Sequence, residues 1–215
     1  MTISVPLQDA FDIETYDGLK AFLIAHLELD SETQTFLPSL IRMAEYRLNR
    51  LLTTPWRETS ETLTTTAALQ YVALPADFSQ AVSVLLTGDD GYPLEAVTLN
   101  TLHSQYPVSG QPCAYCISEQ SMWFGPIPDA AYAIRLTYQA RLAPLRTETQ
   151  TNWLLSENAD AYVYACLIQI ESFLGNDERV PLYAAGLDQA IGEINAQGNR
   201  YRRSTPIRLR SPVVV

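Results

Sequence analysis

The sequence predicts an α+β protein: a four-helix bundle made of N- and C-terminal helical hairpins, with an inserted antiparallel β-module and an extended C-terminal arm. Three observations carry that prediction. Apolar residues recur with a helical period at both ends of the chain, whereas residues 56 to about 140 form short threonine-rich or alternating runs. Beyond residue 203, proline breaks the helical pattern and basic and apolar side chains alternate. The bundle would draw its first helices from residues 1–55 and its last from 146–203. The β-module would span 56–145 and the arm 204–215.

The first helix is predicted over Tyr16–Leu29, with Thr15 as N-cap and Leu19, Phe22, Leu23, His26 and Leu27 along one stripe. On that stripe His26 reads as a hydrogen-bonded structural histidine. In the second helix Leu37, Leu40, Ile41, Ala44, Leu48 and Leu51 share a face, with Arg42, Glu45 and Asn49 opposite. Thr35 as N-cap would place Pro38 in the first turn, where a missing N–H costs little. A Ser31–Gln34 capping box would start the helix one turn earlier. Pro55 ends the pattern.

Strands follow. Thr59–Thr66 suits a pleated, half-solvated surface. Leu69–Leu74 and Ala81–Leu86 are short β-compatible runs separated by Pro75-Ala-Asp-Phe78, and Gly88-Asp-Asp-Gly91 is a turn. Tyr115–Ser118 and Met122–Phe124 form a hairpin pair. In Ala131–Ala140 the residues Tyr132, Ile134, Leu136 and Tyr138 fall on one face. Helices then return. Ser156 would cap one from about Glu157 to Leu174, burying Ala161, Tyr164, Ala165, Ile168 and Phe173, with Gly175 as its stop. The last runs from Asp177 to about Arg203, with Leu182, Ala185, Leu187, Ala190, Ile191 and Ile194 mostly on one side. Gly186, Gly192 and Gly198 each cost it about 1 kcal/mol relative to alanine, so close packing on a neighbour must stabilise it.

Composition narrows the function. At 47% hydrophobic and 18% charged residues, the chain is neither a disordered tail nor a coiled-coil rod. Its longest apolar runs fall far short of the roughly 18 residues of a membrane span. No basic flank precedes an apolar run at Met1-Thr-Ile-Ser-Val-Pro6, so no signal peptide is expected. Three cysteines are an odd number and too few for a disulfide framework, which points to a reducing compartment. Cys113-Ala-Tyr-Cys116 has CxxC spacing without further ligands, because His26 and His103 are isolated and Cys166 lies in an apolar helix. Both read as small strand residues. Glycine-rich phosphate loops, HExxH and GxSxG patterns are absent. Asp89-Asp90 and Asp177-Glu178 fit turns or caps. The expectation is a protein that is not an enzyme, with no catalytic, cofactor-binding or metal-binding residues.

Charge is uneven. Net charge is −10, and residues 1–32 hold seven acids against one base, Lys20. The last sixteen residues hold Arg200, Arg202, Arg203, Arg208 and Arg210 and no acid, leaving nine bases against 24 acids in the remainder. Such an acidic body repels nucleic acid at long range. The arginines could contact phosphates or acidic protein surfaces. A cytosolic regulatory or nucleic-acid-binding protein using this tail is the alternative reading.

Several pieces in order resemble the head–tail adaptor (connector) proteins of tailed bacteriophages. These are the short helix from Tyr16, Ile41-Arg-Met-Ala-Glu-Tyr-Arg-Leu48, Leu74-Pro-Ala-Asp-Phe78, and Gly110-Gln-Pro112 with Tyr115. Trp123-Phe-Gly-Pro-Ile-Pro128, Ile134-Arg-Leu-Thr-Tyr138 and Asn152-Trp-Leu-Leu155 follow. The resemblance covers about residues 16–200. It implies a structural virion protein in the neck between capsid and tail, made in the host cytoplasm. It implies a ring of copies, twelve in the usual case, joining the portal protein to a tail or nozzle protein. Double-stranded genomic DNA would pass through the middle without specific binding, and no membrane would be involved. Arg200, Arg202, Arg203, Ile207, Arg208, Leu209, Arg210, Val213, Val214 and Val215 become the candidate contacts to portal or neighbouring protomer. Pro206–Val215 can extend at most about 33–36 Å, and Val213-Val214-Val215 could add as a strand.

Overall fold

The structure, a computed structural model, describes residues 12–88 and 91–203. It is mixed α+β, with six α-helices and three small sheets among the described residues. The chain divides into two compact units. One combines the described residues up to Pro55 with those from Leu142 onward, and the other is Trp56–Arg141.

In the helical unit, α1 (Tyr16–Leu27) starts where the Thr15 side chain accepts the Gly18 N–H, and it buries Tyr16, Leu19 and Leu23. His26 is exposed and stacks on Phe22, with ring centroids 5.5 Å apart, so it is a surface residue and not a structural one. The second helix, α2 (Ser31–Leu51), begins a turn earlier than a Thr35 cap allows. Asp30 is the N-cap, its carboxylate accepting the Thr33 N–H at 2.8 Å, and Pro38 lies inside the helix. The expected apolar face is buried from Leu37 to Leu48, but it also contains Glu45, which sequence placed on the polar side.

Asn152, not Ser156, starts the C-terminal helices. Its side chain caps α4 (Trp153–Glu157) by accepting the Leu155 N–H at 3.0 Å. The longer α5 (Ala159–Leu174) follows and stops at Gly175, whose φ of 77° is the left-handed turn that glycine adopts without strain. Apolar on nearly every side, α5 buries Tyr162, Cys166, Leu167 and Ile170 besides Ala161, Ala165 and Ile168. It packs against α1, α2, α4 and α6 (Val180–Arg203). Phe173 and Leu182, expected inside, are exposed at the distal end of this pair. Leu187, Ala190, Ile191 and Ile194 are buried as expected.

The 56–141 unit holds the strands. Sheet one has the order β1 (Glu58–Thr64), β9 (Ala133–Ala140), β3 (Phe78–Leu86), all antiparallel. Sheet two is β2 (Tyr71–Ala73), β7 (Ser121–Gly125), β6 (Ala114–Ser118), β4 (Glu95–Ala96). The β6–β7 hairpin turns through Glu119 and Gln120, both at positive φ. A third sheet pairs β5 (Ser109–Gly110) with β8 (Ile127–Pro128). The expectation of an antiparallel module needs correcting, because β4–β6 and β5–β8 run parallel. Parallel neighbours need a crossover, and α3 (Leu99–Gln105), a helix not read from sequence, lies in the β4–β6 connection. Ile134, Leu136 and Tyr138 point inward from β9 to meet Leu63, Val84, Leu86, Met122 and Phe124 in one core.

The short motifs prove to be structural joints. In Leu74–Phe78 the Phe78 N–H turns back to the Pro75 carbonyl at 3.0 Å, and the Asp77 carbonyl accepts the Arg141 N–H at 2.7 Å. The Asp77 carboxylate accepts the Tyr138 hydroxyl at 2.9 Å. Burial, with this carboxylate beside it, pushes the Tyr138 hydroxyl up to about 12. Gly125 of the Gly-Pro-Ile-Pro run leaves room for Tyr106, whose ring would stand 2.9 Å from an added Cβ.

Two of the three α6 glycines answer the close-packing expectation. A Cβ at Gly186 would meet the Tyr164 ring at 2.9 Å, and one at Gly198 would collide with Thr54 Oγ1 and approach Pro55 Cδ at 2.6 Å. Gly192 faces open space. Gly198→Ala should therefore destabilise the protein by about 1–3 kcal/mol, whereas Gly192→Ala should stabilise it by about 0.5–1 kcal/mol. Urea unfolding of the two variants checks both signs.

Candidate interaction surfaces

The segment returning from β9 to α4, residues 142–152, has no regular structure, so its backbone polar groups need other partners. Helix side chains supply them. Asn49 Oδ1 accepts the Leu142 N–H at 2.9 Å, and Glu45 Oε1 accepts the Leu145 N–H at 2.6 Å. Asn152 Nδ2 donates to the Ala143 carbonyl at 2.8 Å and to the Tyr162 hydroxyl at 2.7 Å, and that hydroxyl donates in turn to Glu45. Further along, the Gln150 carbonyl accepts the Tyr16 N–H at 2.6 Å, and its side chain bonds the Asp17 backbone and carboxylate. Leu142–Leu145, grouped with the strands from sequence, are thus fastened to α2.

Glu45 is only 3% exposed, and desolvation raises its pKa although the Leu145 N–H opposes the shift. The same burial, with Glu45 nearby, pushes the Tyr162 hydroxyl and the Cys166 thiol upward. A buried thiol of raised pKa is a poor nucleophile. These groups hold the chain together.

The outward faces differ in character. On α2 the large apolar side chains Phe36, Met43 and Tyr46 are 46%, 52% and 53% exposed, and Phe36 meets the exposed Phe173 with centroids 5.4 Å apart. Arg42 donates from Nε to the Tyr46 hydroxyl at 3.3 Å and stacks over its ring. Between α1, α2 and the return segment lies an open groove of about 480 Å³ lined in part by Tyr16, Lys20, Arg42, Arg146 and Glu148. Sequence reasoning missed this groove because its three cations come from segments over 120 residues apart (Lys20 to Arg146). The outward apolar face of α2 was legible in principle: Phe36 and Met43 are seven residues apart, two turns on one side.

The sequence-predicted contact residues are only partly placed. Arg200 is exposed in the last turns of α6, next to the exposed Tyr201. The backbones of Arg202 and Arg203 complete that helix. Ile207, Arg208, Leu209, Arg210, Val213, Val214 and Val215 lie outside the described residues, as does the Asp89-Asp90 pair. Cys116 lies in β6 and Cys113 one residue before it, and among the described residues no three potential ligands cluster for a metal. No described helix is long and apolar enough to cross a membrane.

A family model described as SU10 adaptor protein matches residues 14–210, spanning both units. The chain belongs to the SU10 adaptor protein family. It is thus a structural adaptor of the phage virion, a class that works by contacting other virion proteins. No curated protein matches the chain. For an SU10 adaptor the outward aromatic, methionine and arginine residues of α2 have the composition of interface centres. The buried Glu45 network keeps the surface beside them rigid.

Removing the Glu45 carboxylate should test that rigidity. Glu45→Ala strands the Leu145 N–H and the Tyr162 hydroxyl and should cost about 2–3 kcal/mol in urea unfolding. Glu45→Gln keeps an acceptor and should cost under about 1 kcal/mol at neutral pH. Because the folded pKa lies above the ordinary 4.5, the native state holds its proton longer than the unfolded chain. Stability should therefore fall as pH rises from about 4.5 through the folded value, and Glu45→Gln should remove that part of the slope.

Proposed function

We propose that this protein is a head–tail adaptor that assembles as a ring, twelve copies in the expected case, beneath the portal and carries the DNA channel on to the tail. The family match over residues 14–210 carries the reading, with the exposed apolar face of α2 in support. In this role the helical unit works as a bundle: α1 and α2 from the N-terminal half and α5 and α6 from the C-terminal half, with α5 central, offer flat faces to neighbouring copies. A ring requires head-to-tail contacts that close.

The protein couples partners mechanically and catalyses no reaction. Its acidic body, −10 overall, offers little phosphate neutralisation, so DNA slides past without counterion release holding it. The basic residues Arg200, Arg202 and Arg203, with the arm that follows, reach the portal or an adjacent protomer.

Electron microscopy of the protein mixed with its portal should reveal an added ring at one end of the portal. Isolated protomers under all conditions would sink the proposal. Truncation after Arg203 should leave the circular dichroism of the folded protomer intact and weaken portal binding at least tenfold, and unchanged docking would discard the role of the arm.

A further inference from the structure

The groove beside α2 gathers three basic side chains from distant parts of the chain. Lys20, Arg42 and Arg146 face Glu148 alone among its charged lining residues. Lys20 is partly engaged, pairing with Asp17 at 2.9 Å and lying 4.5 Å over the Tyr16 ring. Arg42 spends its Nε on a neutral phenol, and Arg146 is exposed with no ion pair among the described residues. The groove lining thus carries three bases against one acid, with the buried Glu45 near Arg42 and Arg146, in a protein whose net charge is −10. The exposed Met43 and Tyr46 continue the surface on the same face of α2. A cationic groove with an apolar, aromatic flank matches a protein segment that carries carboxylates.

The chain itself bears such a segment. Between Lys20 and Arg42 there is no lysine or arginine, and the α1–α2 corner places Glu28, Asp30 and Glu32 within five residues. All three are exposed. Asp30 is committed to capping α2, where the Thr33 side chain and N–H hold its carboxyl below the usual range. The Glu28 and Glu32 carboxylates have no ion pair among the described residues. Of the other exposed acidic residues of this unit, Asp177 and Glu178 are followed at once by Arg179, whereas Asp12 with Glu14 and Glu157 with Asp160 have no such neighbour.

Resting on the ring reading above, we propose that the groove lined by Lys20, Arg42 and Arg146 receives the acidic α1–α2 corner, Glu28 to Glu32, of a second copy of this chain. Corner and groove are different surfaces of one protomer, so the contact is heterologous and propagates around a ring instead of ending at a pair. Its strength depends on salt, since both partners lie at the surface.

Charge reversal tests this with full-length protein in sedimentation velocity, alone and with portal rings, at low and high salt. Arg42→Glu/Arg146→Glu and Glu28→Lys/Glu32→Lys should each weaken association between copies at least tenfold while circular dichroism stays native. An equimolar mixture of the two should recover it, because each variant supplies the charge that the other has reversed. The corner substitutions are remote from Glu45, so they test the contact even if the groove variant fails to fold. Wild-type protein that joins neither itself nor the portal overturns the ring reading, and this contact with it. Wild-type protein that assembles as a ring while both variants assemble unchanged overturns the contact alone. So does a groove variant that keeps copy-to-copy association but loses the portal, because the occupant would then belong to the portal.

Discussion

Much of the helical unit depends on one buried carboxylate. Glu45 sits on the core side of α2 and accepts the Leu145 N–H and the Tyr162 hydroxyl. An isolated carboxylate in an apolar interior would be prohibitively costly. Here it is tolerated because the irregular stretch after β9 has backbone donors that no ladder satisfies. The arrangement joins three parts of the chain far apart in sequence: α2, the 142–152 segment and α5. Asn152 extends the network by capping α4 while also bonding the Ala143 carbonyl and Tyr162. The residue that caps the first C-terminal helix is therefore linked, through Tyr162, to a residue on an N-terminal helix.

That arrangement explains why the outer surface is available for assembly. The polar demand of an irregular segment is met inside, so the exposed side of α2 carries Phe36, Met43 and Tyr46 without having to cap or brace anything. A monomer with no partner would gain solubility by replacing them with charged residues. Their retention together, beside cationic Arg42, agrees with membership of an adaptor family whose work is contact. The β unit follows a different logic. Its conspicuous short motifs serve turns and joints: Asp77 holds Tyr138 and Arg141, and Gly125 clears space for Tyr106.

The helices α2 and α6 were legible because their apolar residues keep to one side, α5 because a long apolar run ends at Gly175, and the alternation of β9 and the β6–β7 hairpin were equally plain. Starts were less so: Asp30 and Thr35 are both good caps, and only tertiary contacts decide between them. The inward aim of Glu45 could have been inferred from position, since it lies four residues after Ile41 and three before Leu48. Its charge argued the other way, and the donors that reverse the argument lie 100 residues downstream. The seven-residue α3 and five-residue α4 are too short for periodicity to register. Two-residue strands such as β4 and β8 exist only through their parallel partners. Of the surfaces, the basic C-terminal stretch was visible in the sequence because its arginines are neighbours. The groove was not, because Lys20 and Arg146 meet only after folding.

The split of the helical unit across the strand-bearing segment has a temporal consequence. Residues 56–141 form a continuous stretch with its own core, so this part can reach its native form while the remainder is still being translated. The first two helices cannot do so. Glu45 and the apolar side of α2 stay unsatisfied until some hundred further residues have left the ribosome and α5 arrives. A newly made copy thus passes through a stage in which that helix shows solvent both its inner and its outer greasy sides.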